Sequence, residues 1–311
     1  MQIPQHFGDK RYYSLNEYCK NTFGDKVYRL SLNAGCTCPN RDGKLSFGGC
    51  TFCSEGGSGD FAADYNVSIA TQIAEAKTRI QKKTDCNKFI AYFQAYTNTY
   101  APISHLRRVF TEALEQPEIV GLSIGTRSDC LSDEILDLLE ELSSIKPIWI
   151  ELGLQTIHNT THARLNTHTT LEMFDDAVTR LHAHNIPVIT HIILGLPDET
   201  PEMMMETVKH VASLPVSGIK LQLLHILRGT KLAIEYENEP FPLFELEDYC
   251  DFIIDCLEIL PPDMVIHRLT GDGPRKLLVA PLWSTDKKRV LNTIQKRFRE
   301  RDTWQGKLFL I

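Results

Sequence analysis

Four of the nine cysteines, Cys36, Cys38, Cys50 and Cys53, fall in one short run, GCTCPNRDGKLSFGGCTFCSEGGSGDF, at 35–61. Thiolates at this density bind metal. Three of them can hold a [4Fe-4S] cluster and leave its fourth iron without a protein ligand, free to take a small molecule. All four together would instead satisfy a closed tetrahedral zinc site, since CxCx11CxxC supplies the full sulfur shell. The glycines at 48–49 and in the 56–59 turn let the backbone wrap closely around an inorganic core, because glycine carries no Cβ to obstruct a positive φ. The other five cysteines are scattered, and an odd total in a chain with no export signal points to a reducing compartment rather than to a disulfide framework. A second group of reactive types sits far away in the sequence: His191, Lys220 and His225. Lys220 interrupts the otherwise apolar run GIKLQLL, so it needs an anionic partner such as a carboxylate or a phosphate.

Both groups have to be positioned by the fold. Short β-branched and apolar runs at 27–32, 88–94, 119–125, 147–153, 187–194 and 218–224 alternate with helical-period segments near 67–83, 102–115, 132–144, 170–184 and 201–213. That alternation predicts βα units around a parallel sheet, an α/β fold of the partial (β/α)6 TIM-like barrel type. Reacting groups in such barrels collect at the carboxyl ends of the strands. The cysteine run follows the first strand, and Gln94, Thr126, Gln155 and His225 fall at or just beyond later strand ends. A reactive cluster belongs at that edge, whereas a structural zinc knot has no need of it.

After about residue 230 the pattern changes to a turn-rich stretch, GTKLAIEYENEPFP, then a helix near 245–260, a candidate strand at 264–269 and a basic helix near 286–300. We therefore expect a barrel core over 1–230 and a C-terminal extension over 231–311. Residues 286–311 carry eight Lys and Arg against three acids, so the overall charge of −7 divides into +5 there and −12 elsewhere. A basic end on an acidic body is either a solvated helix face or a contact for nucleic-acid phosphates. No run of 18 apolar residues exists to span a bilayer, and the N-terminus lacks a basic-then-apolar leader. The expected location is cytoplasmic, with no membrane partner; the sequence selects no oligomeric state.

The stretches GCTCPNRDG (35–43), GGCTFCSEGGSGDF (48–61), AYFQAYTNTY (91–100), GLSIGTRSDCL (121–131), ELGLQTIH (151–158), HIILGLPDET (191–200) and GIKLQLLHILRGT (218–230) carry a resemblance to a known family. In order and content they resemble the radical S-adenosylmethionine (SAM) superfamily, and more narrowly a family related to the catalytic subunit of Elongator and to oxygen-independent coproporphyrinogen oxidase. The resemblance implies that Cys38, Cys50 and Cys53 ligate a [4Fe-4S] cluster, with Phe52 in the aromatic position between the last two and Cys36 spare. It implies SAM as the second cofactor, cleaved to a 5′-deoxyadenosyl radical. The SAM contacts would come from Gln94, where relatives have a GGE-type turn and this chain has Gln94-Ala95-Tyr96, from Thr126, Arg127 and Asp129, and from Gln155. Arg164 would stand in for an arginine that relatives carry at the position of Thr167. Lys220, His191 and His225 would face the substrate. By the same resemblance the partners are a tRNA, modified at the carboxymethylaminomethyl side chain of a wobble uridine, and a reductant such as flavodoxin or ferredoxin. Two other readings stay open here: a radical SAM oxidoreductase acting on a porphyrin-like or other small metabolite, and a zinc-stabilised RNA-binding module.

Overall fold

Each apolar run becomes a strand and each helical-period segment packs outside it. The computed structural model describes residues 2–57, 59–271 and 273–310, so Ser58, in the glycine-rich turn, lies outside the described residues. In chain order the elements are α1 (Leu15–Phe23), β1 (Tyr28–Leu32), α2 (Ile69–Gln81), β2 (Phe89–Phe93), α3 (Ile103–Leu114), β3 (Ile119–Thr126), α4 (Asp133–Ser143), β4 (Ile148–Gln155), α5 (Asn159–Arg164), α6 (Leu171–Ala183), β5 (Val188–Leu194), α7 (Pro201–Ser213) and β6 (Gly218–Leu223). They continue with β7 (Ile226–Leu227), α8 (Lys231–Asn238), α9 (Leu246–Ile259), β8 (Val265–Arg268), β9 (Leu278–Ala280) and α10 (Lys287–Glu300).

Seven strands pair in the order β1-β2-β3-β4-β5-β6-β8, every neighbouring pair parallel. Parallel neighbours need crossovers, and the helices that provide them cover the outer face, which is why β2 is buried at every position. The curled sheet is a partial TIM-like barrel. The run at 264–269 adds its seventh strand by pairing with β6, and a short antiparallel pair, β7 with β9, lies beside the carboxyl edge.

Elements that the apolar pattern understates also matter. Ser14 caps α1 by accepting from Glu17 N, and the helix lays Cys19, Leu15, Tyr18 and Phe23 against Ile90, Trp149 and Ile189. That apolar layer closes the lower end of the barrel. The stretch after 230, read as turns, contains α8, opened by Thr230, which accepts from Ala233 N. It was hidden because Leu232 and Ala233 are the helix's buried residues, too few to show a period. Thr200 opens α7 by accepting from Met203 N, and Pro201 takes its first helical position.

The basic end has a definite place. α10 packs along α9, with Arg297 bonded to Glu247 at 2.9 Å and near Asp251 at 3.5 Å, and Arg301 reaching Asp255 at 2.5 Å and Glu258 at 3.0 Å. These acids recur down one side of α9, so part of the tail's positive charge is an internal stitch between helices.

Candidate active site

The chain between β1 and α2 leaves the carboxyl edge and folds back over it. Cys38, Cys50 and Cys53 consequently line one cavity of about 280 Å³. Cys36 faces the other way, packed in the main core with 7% exposure, and burial pushes its thiol up to about 12. The Cys53 thiol alongside, with burial, holds Cys50 well above the usual thiol range. Paired thiols of this kind give up their protons when a metal compensates the charge.

Backbone and amide contacts hold the loop in this shape. Asn40, fully buried, donates to Asn166 O at 2.6 Å and to Cys50 Sγ at 3.4 Å, while Asn166 donates to Gly49 O at 3.0 Å. Thr51 N donates to Leu165 O, and Leu232 N donates to Thr51 O, both at 2.9 Å. The end of α5 and the start of α8 thus brace the cysteines from two sides. The glycine turn presses on the segment after β2: a Cβ at Gly57 would lie 2.2 Å from the Tyr96 ring, and one at Gly59 would lie 2.5 Å from Ala95 Cβ. Only glycine permits that approach.

Phe52, Gln94, Thr126, Arg127 and Gln155 line the same cavity. Arg127 donates to both carboxylate oxygens of Asp129 at 2.9 Å and to Thr167 O at 2.8 Å. This bidentate pair fixes the guanidinium plane. Burial opposes the charge on Arg127, and Asp129 more than compensates, so its pKa is raised. Asp129 itself contacts a neighbouring surface hollow rather than the cavity. Gln155 holds a left-handed φ of +68°, a strained conformation for a residue with a side chain, at the point where β4 meets the cavity. Arg164 is placed elsewhere: it pairs with Asp198 and approaches Glu235 at 3.9 Å, outside the cavity lining.

Two residues further down the strands, the interior carries a layer of charge. Successive residues alternate faces, so below Gln94, Gly125, Gly153, Ile193 and Gln222 come Tyr92, Ser123, Glu151, His191 and Lys220. The Glu151 carboxylate, with no exposed side-chain surface, accepts from Lys220, from His191 at 2.9 Å, from Ser123 at 2.8 Å and from Arg29 at 3.3 Å. Lys220 also donates to Tyr92 Oη at 3.1 Å. Burial opposes ionisation of Glu151, but Lys220, His191 and Arg29 outweigh it and hold the carboxyl well below its usual range. Burial lowers Lys220 well below a free lysine; Glu151 opposes that shift, and Arg29 and Arg268 add to it. His225, at the cavity's far wall, accepts at Nδ1 from Gly273 N at 3.1 Å.

The anion that Lys220 needed is therefore Glu151. Sequence reasoning did not single out Glu151, Tyr92, Ser123 or Arg29, although the lone acid in PIWIELG is the same kind of signal as the lone base in GIKLQLL. Burial and Lys220 push His191 down to about 4, so it is neutral in the fold at pH 7. An unfolded histidine titrates near ~6.5. Between those values the unfolded chain binds a proton that the fold does not, and stability falls as pH falls. His191→Gln is expected to flatten this loss by up to about 3 kcal/mol over that interval. Denaturant unfolding from pH 7 to 4 measures it; equal slopes in the two proteins would refute the neutral assignment.

Comparison with known proteins bears on the whole arrangement. A model described as the Radical SAM superfamily matches residues 35–211, and one described as the Radical_SAM C-terminal domain matches 216–300. Protein YtqA of Bacillus subtilis (strain 168) is 46% identical over 307 residues, covering 99% of this chain and 95% of its own. Protein YhcC of Escherichia coli (strain K12) is 38% identical over 262 residues, 84% of each. The solved structure of the archaeal Methanocaldococcus infernus Elp3 with an N-terminal deletion matches with a TM-score of 0.67 at 17% identity, over 90% of this chain and 64% of that one. At that identity the likeness is one of fold.

Proposed function

This chain belongs to the radical SAM superfamily, whose members bind a [4Fe-4S] cluster and SAM, and we propose that it modifies the carboxymethylaminomethyl side chain of a tRNA wobble uridine. The residues present fit the two cofactors. Three thiols share a cavity wall while the fourth is turned into the core, so a four-sulfur zinc shell does not form. Among the described residues no three His, Cys, Asp or Glu side chains converge on a single ion; a cluster asks no such convergence, since each thiolate binds its own iron. When bound, the two cofactors supply a 5′-deoxyadenosyl radical that takes hydrogen from an unactivated C–H bond.

The protein's part is placement. Cys38, Cys50 and Cys53 would hold the cluster, with Phe52 on the same cavity wall. Gln94 would meet the methionine amino group, Thr126 and Gln155 the ribose, and Arg127, kept in plane by Asp129, the carboxylate. His191, Lys220 and His225 face the substrate, and the closed lower end keeps bulk water from the reacting centre. The family's chemistry calls for a one-electron reductant such as flavodoxin or ferredoxin.

The observation that supports an RNA substrate is the charge around the opening. Arg228, Lys231, Arg275 and Lys276 are all exposed, on segments whose neighbours Leu227, Gly271 and Gly273 line the cavity. Arg228 N bonds Leu277 O at 2.7 Å, which ties two of these segments together. This rim, rather than the arginines of α10 that are occupied by α9, is positioned to meet phosphates. Arg275→Glu combined with Lys276→Glu is expected to weaken tRNA binding about tenfold or more and to lower the salt slope by about two. Filter binding across a salt series reads both, and an unchanged slope removes the rim from the RNA contact. The deciding experiment is nucleoside analysis of tRNA from cells with and without the gene. Accumulation of the carboxymethylaminomethyl form on deletion is the expected result; an unaltered wobble profile rejects tRNA as substrate.

A further inference from the structure

We propose that the charged layer beneath the cavity is a subsite for one carboxylate carried by the substrate, received by Lys220 beside His191. The inference rests on the cavity being the reaction site, as read above, and does not require that the substrate be RNA.

The charge count carries it. Arg29 and Lys220 both bond Glu151 and Arg268 lines the same cavity, so among the described residues one carboxylate faces three basic side chains in this layer. Tyr92 and His191 add no charge. Among the described residues, the other acid on the cavity wall is Asp60, which accepts from Ser54 Oγ at 2.8 Å up at the cysteine loop. A lysine has three N–H donors. Lys220 commits two, to Glu151 and Tyr92, and its side chain lines the cavity although only 1% of it is exposed.

A plain structural ion pair needs one lysine and one glutamate. Half-buried Arg29 and the cavity-lining Arg268 add positive charge beside that pair, and charge in a largely desolvated site is compensated when an anion joins it. The side chain proposed above ends in a carboxylate, and that is the anion assigned to this layer. The layer also lies two residues, roughly 7 Å along the strands, below Gln94 and Gly153, so it is separate from the contacts given above for SAM. A substrate anchored there by its carboxylate presents the adjoining carbon to the space between the layer and the cysteine loop.

The test uses the reconstituted holoenzyme with SAM, and acetate as the probe. Acetate substituted for chloride at constant ionic strength is expected to raise Tm by about 2–4 °C, and acetamide, its neutral isostere, is not. The rise should disappear in Lys220→Met and return in Lys220→Arg. No difference between acetate and acetamide in the natural protein overturns the proposal, whether or not Lys220→Met folds; so does an equal rise in Lys220→Met. A second arm compares the nucleoside 5-carboxymethylaminomethyluridine with its methyl ester by calorimetry. Binding of the acid about tenfold or more tighter supports both the subsite and the wobble-uridine reading. Equal binding of acid and ester, beside a Lys220-dependent acetate effect, leaves the subsite standing and rejects that uridine as its occupant.

Discussion

Cys53→Ala is expected to abolish SAM cleavage, whereas Cys36→Ala should keep most of it. The two thiols are close in sequence and opposite in placement: Cys53 is on the cavity wall, and Cys36 is enclosed by the apolar core. Removing one of three thiolates leaves an iron without its ligand, and a cluster so undercoordinated is not retained. Removing the Cys36 sulfur deletes one buried atom, a change of about 1 kcal/mol in stability that leaves the cavity wall intact. Chromatographic assay of 5′-deoxyadenosine from anaerobically reconstituted, chemically reduced protein separates the outcomes. Equal losses in both variants would show that the ligand set is wrong.

Glu151→Ala should produce the largest loss of stability in the barrel, about 3–5 kcal/mol. Lys220, His191, Ser123 and Arg29 all direct hydrogen bonds at this one carboxylate. Truncation leaves the buried Lys220 and the half-buried Arg29 without the carboxylate they share. Because the penalty belongs to the stranded charges, Lys220→Met in the same chain should recover a good part of it, and the two changes should be strongly non-additive. Equilibrium denaturation of the single and double variants completes the cycle. A cost under about 1 kcal/mol for Glu151→Ala would mean that water already compensates these charges.

Much of this was legible from residue order. The six apolar runs, the cysteine loop on the first connection and the unmet need of Lys220 are local features, and local pattern reports burial and period directly. What pattern could not report is direction. Cys36 and Cys38 differ by two positions, yet the turn after β1 sends one side chain into the core and the other to the cavity. The basic run at 286–301 shows its charge in the sequence but not its neighbour; Glu247, Asp251, Asp255 and Glu258 lie about 40 to 50 residues away. α1 was legible but unread: Leu15, Tyr18, Cys19 and Phe23 recur at i, i+3, i+4 and i+8, one helical face, and that face is what plugs the barrel.

That plug governs traffic. With α1, Ile90, Trp149 and Ile189 covering the lower end, the rim at the carboxyl edge is the mouth through which molecules are exchanged. Spent 5′-deoxyadenosine and altered substrate would leave by that shared mouth, so inhibition by the former is the expected consequence.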